Sequence, residues 1–174
     1  SGRSVVLEIT DKGQRHVYEN NLRVFTNSPA FPWHQANLNN DIHLSGGETP
    51  DKTMGDVHLY SFGGGTNLAG LPGDLTPPSR LVRAFFYVQT APVPADTYSA
   101  VTQAFHILNN FDLPIGAEYA PGETIPDMPS ATQWTAVSDV THPTFYYRTM
   151  YNSAIRKIDL TKIDFSKVKY TVTD

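Results

Sequence analysis

The order of its predicted secondary-structure elements constrains the fold of this chain more than any other feature. β-Branched and alternating residues predict strands at Arg3–Glu8 and Leu22–Thr26, and a block of two helices follows after residue 75. Three more strands are predicted after residue 132. Because strands and helices come in blocks and do not alternate, the order favours an α+β fold in which helices pack on an antiparallel sheet.

Both predicted helices have start signals and apolar stripes. Thr76 is the expected N-cap and Pro77 the first residue of a helix that ends at about Gln89. The second helix begins near Asp96 and ends at Asn109-Asn110. The apolar positions recur with helical spacing in each: Leu81, Ala84, Phe85 and Val88 in the first, and Tyr98, Val101, Phe105 and Leu108 in the second.

The tail of the chain is predicted to return to β structure, with turns at His142-Pro143 and Asn152-Ser153. The three tail strands are expected at Gln133–Asp139, Thr144–Thr149 and Ile155–Leu160. Together with the leading strands they can form one sheet. Two helices cover only one face of such a sheet well, so the other face is expected to need a partner.

The connecting segments contain turn and helix signals. Asp11-Lys12-Gly13 is a predicted turn after the first strand, and Asn27-Ser28-Pro29 ends the second. A short helix is expected over Trp33–Asn40. Residues 44–75 contain repeated glycines, which predict an irregular segment.

Composition limits the possible functions. With 40% hydrophobic and 17% charged residues, the chain is predicted to be globular, and its net charge of −4 argues against a nucleic-acid-binding surface. No apolar stretch reaches the roughly 20 residues of a membrane helix. The segment Ser1-Gly2-Arg3-Ser4 does not resemble a signal peptide. The sequence contains no cysteine, which excludes disulfides, thiolate metal sites and a cysteine nucleophile within this chain.

The sequence offers no pattern typical of a metal or cofactor site, and neither is expected. The six histidines lack the H-E-x-x-H or H-x-x-x-H spacing of metal ligands. The loop Gly63-Gly64-Gly65 lacks the Lys-Ser/Thr ending of a phosphate-binding loop. Ser1 could act as an N-terminal nucleophile with its own α-amine as base, although any fragment has to begin with some residue.

Two residues have both a structural and a catalytic interpretation. Asn27 follows a predicted strand, where its side chain could form an Asx-turn or could donate to a developing oxyanion. Arg80 falls in the first turn of a predicted helix, where a cation opposes the helix dipole. Arg80 is therefore either held by a specific partner such as a carboxylate, or a solvated surface arginine.

Several segments resemble the choloylglycine hydrolase (bile salt hydrolase) and penicillin V acylase family, in that family's order and over nearly the whole chain. The matching segments are Thr26–Pro29 (T-N-S-P), Trp33–Leu38, Gly70–Arg80 (G-L-P-G-D-L-T-P-P-S-R), Phe105–Asn110 (F-H-I-L-N-N), Thr132–Thr135 and Phe145–Thr149. Gly2–Glu8 resembles a strand from the middle of such proteins, so by resemblance Ser1 has no special role.

The resemblance implies an α+β Ntn-hydrolase fold, the four-layer αββα sandwich, with residues 1–174 as the C-terminal part of its single domain. It also implies a linear-amide hydrolase whose N-terminal cysteine lies in the missing N-terminal half of the enzyme. By motif match, Asn27 would stabilise the oxyanion and Arg80 would lie beside the nucleophile. No cofactor is implied.

The resemblance leaves the substrate open. A small-molecule amide is expected, and bile salt hydrolysis is favoured. The alternatives are a penicillin V acylase, or a non-catalytic fragment or binding domain that has kept the fold. The long loop Leu44–Gly70 is of the kind that supports a homo-oligomer, a tetramer by family resemblance. Neither nucleic acid nor membrane is an expected partner, and a cytoplasmic location is expected, with the periplasm as the alternative.

Overall fold

The computed structural model describes residues 3–10 and 12–169. The chain divides into two compact units, one that ends at Pro92 and one that begins at Val93. Ser1 and Gly2, and Asp11 of the first predicted turn, lie outside the described residues. The assignment of residues 1–174 to a single domain stays a prediction.

The first unit begins with a β-hairpin. Strand β1 (Val5–Ile9) pairs with β2 (Arg15–Glu19) in an antiparallel register that places Leu7 opposite Val17. The first predicted strand is therefore confirmed, with shifted ends. Because side chains alternate along a strand, one face of the hairpin turns Val6 into the core. The apolar side chains of the other face are exposed: Val5, Leu7, Ile9 and Val17.

The second predicted strand is wrong. The segment Leu22–Thr26 is not a strand, and Arg23 adopts a left-handed backbone conformation with φ of 62°. A positive φ in a non-glycine residue is incompatible with a regular strand. Leu22 and Val24 are nevertheless both buried, so the alternation in the sequence marks two anchors in the core.

The glycine-rich segment is less irregular than its sequence suggests. Strands β3 (Lys52–Met54) and β4 (Val57–Leu59) form a short antiparallel hairpin within residues 44–75. The two-residue turn between them begins with Gly55, whose φ of 57° suits a tight hairpin turn. A single 3₁₀ turn, Thr66–Leu68, follows. The predicted irregularity is wrong for the hairpin, because three-residue strands are too short to produce a clear alternation.

Two helices complete the first unit. Helix α1 (Phe31–Asn37) continues into a 3₁₀ turn over Leu38–Asp41, and the predicted short helix is thereby confirmed with an earlier start. Helix α2 (Pro77–Thr90) begins after Thr76 and confirms the prediction almost to the residue. The buried core joins the inner face of the first hairpin to both helices and consists of Val6, Leu22, Val24, Phe31 and Leu81.

The second unit is built on helix α3 (Thr97–Leu108), which confirms the second predicted helix. The carboxylate of Asp96 caps it by accepting a hydrogen bond from the backbone N–H of Ser99 at 2.7 Å. Val101 and Phe105 are buried, as the stripe predicted. Tyr98 is 81% exposed, so its predicted place in the buried stripe is wrong.

A three-stranded antiparallel sheet follows α3 and packs with β5 against it. Its strands are β5 (Trp134–Asp139), β6 (Thr144–Thr149) and β7 (Asn152–Asp159). All three confirm predicted strands. The second predicted turn is misplaced, because Asn152 already pairs with Thr149 and leaves Met150-Tyr151 as the turn. Short 3₁₀ turns occur at Asn109–Phe111 and Leu160–Lys162.

The strands of the described residues form three separate antiparallel sheets, β1-β2, β3-β4 and β5-β6-β7. The antiparallel pairing was expected from the block order of elements. The single sheet of leading and tail strands is not formed within residues 3–10 and 12–169, where the hairpin β1-β2 pairs only with itself. Among the helices described, none is long and apolar enough to cross a membrane.

Candidate active site

Arg80 and Asn27 meet in the first unit although they are 53 positions apart in the sequence. Nη2 of Arg80 donates a hydrogen bond of 2.8 Å to Oδ1 of Asn27. The hydroxyl of Thr26 donates to the same oxygen at 3.2 Å. The expectation that Asn27 and Arg80 lie together is therefore confirmed as geometry, whereas their catalytic roles remain to be tested.

The contact fixes the orientation of the Asn27 amide. A guanidinium carries donors only, so it must face the amide oxygen of Asn27. The NH₂ group then points away from Arg80, and no acceptor in the described part of the chain takes a hydrogen bond from it. Asn27 is exposed, so this group is available to a ligand as a neutral hydrogen-bond donor. Among the described residues no backbone N–H donates to Oδ1 of Asn27, so the Asx-turn alternative is not observed there.

Two buried residues anchor the turn that carries Asn27. Val24 precedes it and Phe31 follows it, and both belong to the core of the first unit. The backbone N–H of Phe31 also donates to Oε1 of Glu8 on β1 at 2.6 Å. The Ser28-Pro29 peptide between them is cis. Asn27 is thus placed by contacts with residues that are distant in sequence.

A network at the start of α2 holds Arg80. The carboxylate of Asp74 accepts hydrogen bonds from the Thr76 backbone N–H at 2.9 Å, the Thr76 hydroxyl at 2.5 Å and the Ser79 hydroxyl at 2.6 Å. The hydrogen bond from Ser79, followed by those from Thr76, lowers the pKa of Asp74 to about 2. An ionised carboxylate in front of a helix also interacts favourably with the helix dipole. The first turn of α2 is therefore held in one conformation.

Sequence reasoning missed the role of Asp74. Thr76 is the N-cap residue as predicted, but its hydroxyl bonds Asp74 and does not cap a backbone N–H. The signal that could have identified Asp74 is its spacing, two residues before Thr76 and five before Ser79, which places both hydroxyls within reach of one carboxylate. Asp74 therefore replaces Thr76 as the residue that organises the helix start.

Arg83 holds the preceding loop from the other side. Its side chain is buried, and Nη1 donates to the backbone carbonyls of Pro72 at 2.6 Å and Asp74 at 2.7 Å. Both carbonyls belong to the Gly70–Arg80 segment. A charged group inside the fold is stable only when its donors are satisfied, and carbonyl oxygens of the loop serve here. The Gly70–Arg80 segment is thus tied to the helix that follows it.

The environment of Arg80 differs from that of a solvated surface arginine. The side chain is partly buried, and its Nε atom is buried with no hydrogen-bond partner among the residues described. Arg80 forms no ion pair within residues 3–10 and 12–169. Its partner is the neutral amide of Asn27, so the positive charge remains available to an anion.

The remaining sequence candidates do not join this contact. Gly63 and Gly65 adopt left-handed conformations with φ of 103° and 93°, which fits their interpretation as permissive loop residues. In the described part of the chain, no group of three or more His, Asp or Glu side chains is placed to hold a metal ion. Ser1 lies outside the described residues.

The chain is similar to one protein family and to several known proteins over most of its length. The family model of linear amide C–N hydrolases, choloylglycine hydrolase family, matches residues 1–173. A bile salt hydrolase/transferase of Clostridium perfringens is 38% identical over 172 residues, which are 97% of this chain and 50% of that protein. A bile salt hydrolase/transferase of Lactiplantibacillus plantarum is 34% identical and covers 90% of this chain and 47% of its own length.

Solved structures give the same result for the fold. A variant of conjugated bile acid hydrolase from Clostridium perfringens superposes with a TM-score of 0.78 at 35% identity, covering 93% of this chain and 48% of that one. Penicillin V acylase from Agrobacterium tumefaciens has a TM-score of 0.69 at 24% identity, covering 95% of this chain and 44% of its own. The chain thus spans about half the length of the relatives it matches.

These comparisons decide the fold and the family. The expected fold class, roughly half of an α+β Ntn-hydrolase sandwich, is confirmed by the likeness to both enzymes. The resemblance seen in the sequence motifs is confirmed by a family match over nearly every residue. The chain therefore belongs to the choloylglycine hydrolase family of linear amide C–N hydrolases.

Proposed function

We propose that this chain supplies Asn27 and Arg80 to the active site of an amide hydrolase whose cysteine nucleophile lies in an N-terminal half outside this sequence. The observation that carries the proposal is the 2.8 Å hydrogen bond from Arg80 to Oδ1 of Asn27. It turns the amide NH₂ outward as a preorganised neutral donor. The chain itself contains no cysteine.

The proposed reaction is hydrolysis of a linear amide through an acyl-enzyme. The cysteine sulfur attacks the carbonyl carbon after its thiol proton passes to the α-amino group of the same residue. The tetrahedral intermediate then releases the amine, which takes up the proton as the C–N bond breaks. Water cleaves the resulting thioester and returns the free thiol. In this reaction, the proposed contribution of the present chain is to stabilise the negative charge of the oxyanion and of the thiolate.

Asn27 would donate to the oxyanion of the tetrahedral intermediate. A neutral donor held before the reaction starts stabilises charge that appears only in the transition state, and needs no rearrangement at that moment. The hydrogen bonds from Arg80 and Thr26 to Oδ1 keep the amide from rotating. They also polarise the amide, which strengthens its N–H donors.

Arg80 would act through its charge and through Asn27. With no ion pair in the described residues, its guanidinium is placed to favour an anion such as a thiolate beside it. The buried and unpartnered Nε atom gives a second reason to expect a further acceptor near Arg80 in the complete enzyme, since such groups are costly to leave unpaired. A carboxylate from the N-terminal half fits this requirement.

Exposed apolar surface on the first unit supports the N-terminal half as the partner. The outward face of the β1-β2 hairpin consists of Val5, Leu7, Ile9 and Val17, all exposed. Contiguous apolar strand faces are ordinarily covered in soluble proteins. The 174-residue chain alone is therefore expected to aggregate, and sedimentation together with thermal unfolding checks this. A monomer with a sharp cooperative transition would contradict it.

Conjugated bile salts are the favoured substrate class. Three relatives with 29–38% identity over at least 90% of this chain carry the name bile salt hydrolase/transferase, whereas the penicillin V acylase is similar at 24% identity. A conjugated bile salt presents an amide between a steroid acyl group and an amino acid. The substrate pocket is expected to lie mostly in the N-terminal half, so this assignment rests on the relatives.

A direct experiment combines the chain with its N-terminal half. The expected result is hydrolysis of glycocholate by the combined protein, weaker or no hydrolysis of penicillin V, and no turnover by the 174-residue chain alone. Robust turnover by the chain alone would overturn the proposal and direct attention to Ser1. Inactivity of the combined, folded protein toward both substrates would favour the non-catalytic alternative.

We also propose that the enzyme is a homo-oligomer, a tetramer by family resemblance, assembled through the loop 44–70. Its β3-β4 hairpin and the residues after it expose Met54, Val57, Leu59, Tyr60 and Phe62. Phe62→Ser in the combined protein should shift sedimentation toward smaller species. Phe165→Ser, an exposed phenylalanine in the second unit, is the control and should change nothing.

A further inference from the structure

The second unit contains a cavity of about 330 Å³ at the end of its sheet where β5 begins and β6 ends. Its walls come from these two strands, from the start of β7 and from the segment that follows the 3₁₀ turn Asn109–Phe111. All lining residues fall between Asp112 and Ser153, so the cavity belongs to the second unit alone. Its volume lies in the range of sites that bind small molecules.

An ion pair forms one side of the cavity. Nη2 of Arg148 on β6 donates to Oδ2 of Asp112 at 2.5 Å and to the hydroxyl of Thr135 at 3.5 Å. The guanidinium also lies over the ring of Phe105 at 5.9 Å, a contact that helps to fix its position. No other ionisable residue lines the cavity, so its lining carries one positive and one negative charge and no net charge.

Both members of the pair keep unused hydrogen-bonding capacity. The hydrogen bonds of Arg148 to the described residues use only Nη2, and neither Nε nor Nη1 is among the buried atoms that lack a partner, so solvent reaches both. The side chain of Asp112 is 45% exposed, and a carboxylate has about four acceptor positions. The pair can therefore accept a further charged ligand without being broken.

The charges of the lining select the class of ligand. A simple anion would gain a contact with Arg148 but would lie close to the carboxylate of Asp112, and a simple cation would meet the opposite conflict. A head group with opposite charges on neighbouring atoms avoids both conflicts, because each of its charges faces the opposite member of the pair. The ammonium and carboxylate of a free α-amino acid, joined through one carbon atom, have this arrangement.

The rest of the cavity wall is apolar and held in place. Trp134 at the start of β5 is 68% exposed, and Leu113, Pro114 and Met150 also line the cavity. Leu113 and Thr132 are joined by two hydrogen bonds, of 2.8 Å from the Leu113 N–H to the Thr132 hydroxyl and of 3.1 Å between their backbones. A large aromatic surface beside a fixed ion pair suits a ligand that has an apolar side chain.

We propose that this cavity is a binding site for a free α-amino acid with an aromatic or large aliphatic side chain. The carboxylate of the ligand contacts Arg148, its ammonium contacts Asp112, and its side chain lies against Trp134. This inference goes beyond the proposed function and uses neither Asn27 nor Arg80. The measurements below record binding, so they do not depend on whether the protein hydrolyses an amide.

The first test compares three probes by isothermal titration calorimetry on the combined protein. L-Phenylalanine should bind at one site per chain with a roughly millimolar dissociation constant, as expected for a ligand of this size. Phenylpropanoate lacks the ammonium and phenethylamine lacks the carboxylate, so each should bind about tenfold more weakly or worse. Equal affinity for all three probes, or no saturable binding of L-phenylalanine, would overturn the proposal.

Asp112→Asn tests the charge argument. The amide oxygen of asparagine still accepts from Arg148, so the local structure is kept while the negative charge is lost. L-Phenylalanine should bind about tenfold more weakly to this variant, whereas phenylpropanoate should bind more tightly than it does to the parent. A purely structural ion pair predicts no such reversal, and an unchanged preference between the two probes would overturn the proposal.

Ser153→Phe blocks the cavity and leaves the ion pair intact. Ser153 is exposed and lines the cavity, so a ring at this position should abolish binding of L-phenylalanine without loss of thermal stability. Ser138→Phe, at an exposed serine of β5 outside this cavity, is the matched control and should bind as the parent does. Parental affinity in a folded Ser153→Phe protein would overturn the proposal, even if Asp112→Asn does not fold.

Fluorescence locates the bound ligand. The chain has two tryptophans, Trp33 and Trp134, so Trp33→Phe leaves Trp134 as the only one in this chain. Subtracting the signal of a Trp33→Phe, Trp134→Phe protein isolates the emission of Trp134. That emission should change with L-phenylalanine concentration and give the same dissociation constant as calorimetry. Binding without any change in Trp134 emission would place the ligand elsewhere and overturn the proposal.

Discussion

The two residues of the candidate site are held in different ways. Arg80 sits in a short segment that organises itself, because Asp74 and Arg83, which fix the start of its helix, are within six residues of it. Asn27 sits in a turn that depends on other parts of the unit, through Phe31 and its bond to Glu8 and through Arg80 itself. Arg80 is therefore positioned by residues of its own segment, whereas Asn27 is positioned only when the whole unit has folded.

The largest expected effect is at Asn27, the residue whose position depends on the folded unit. Asn27→Ala in the combined enzyme should lower kcat by roughly 10²–10³-fold with little change in KM, as for loss of an oxyanion donor. Steady-state kinetics with glycocholate measure it. Asn39→Ala, an exposed asparagine of the same unit, is the matched control and should leave kcat unchanged. Activity near the parent level in Asn27→Ala would remove this residue from the site.

Arg80→Lys tests the hydrogen bond between Arg80 and Asn27. Lysine keeps the positive charge but loses the planar fork that bonds Oδ1 of Asn27, so kcat should fall by about 10–100-fold. Arg15→Lys on β2 replaces an exposed arginine and should have no effect. Parental activity in Arg80→Lys would mean that the charge suffices and that the hydrogen bond to Asn27 is incidental.

Asp74→Asn tests the local network and should reduce stability more than activity. The pKa of Asp74 is lowered to about 2 in the folded chain by the hydroxyls of Ser79 and Thr76. Because the pKa of Asp74 is lower in the folded chain than in the unfolded chain, its ionised carboxylate stabilises the folded chain above the unfolded pKa of 3.8. This stabilisation is lost as the pH falls through the folded value. The parent should therefore lose stability between about pH 4 and pH 2.

Urea unfolding of the combined protein at pH 7 and pH 3 measures this loss. Asp74→Asn should be less stable at pH 7 and should show a smaller decrease on acidification than the parent. Asp127→Asn, which replaces an exposed aspartate of the second unit, serves as the control. Equal acid sensitivity in Asp74→Asn and the parent would contradict the role given to Asp74.

The smallest effect is expected at Thr26. Its hydroxyl donates to Oδ1 of Asn27 at 3.2 Å, a longer contact than the 2.8 Å bond from Arg80. Thr26→Val keeps the shape and removes the donor, so kcat should fall by no more than about fivefold, the value of one modest hydrogen bond. A loss as large as that of Arg80→Lys would show that both donors are needed to hold the amide.

Sequence analysis succeeded where local patterns determine structure. The start and spacing of α2 and the strands β5 and β6 were predicted correctly, because each of these depends on residues a few positions apart. It failed at Leu22–Thr26, where alternating burial occurs without a partner strand and Arg23 turns the backbone. It also missed Asp74, because a carboxylate that accepts from two hydroxyls has no periodic signature.

By itself the sequence determined the family, the helices α2 and α3 and the identity of Asn27 and Arg80 as the residues to examine, since each is encoded in a short contiguous motif. Only the tertiary structure decided that Arg80 bonds the oxygen of Asn27 and so frees its NH₂ group. It also decided that His34 is buried, with 1% of its surface exposed. Contacts between residues 53 positions apart are formed by packing of the core, and no local pattern encodes them.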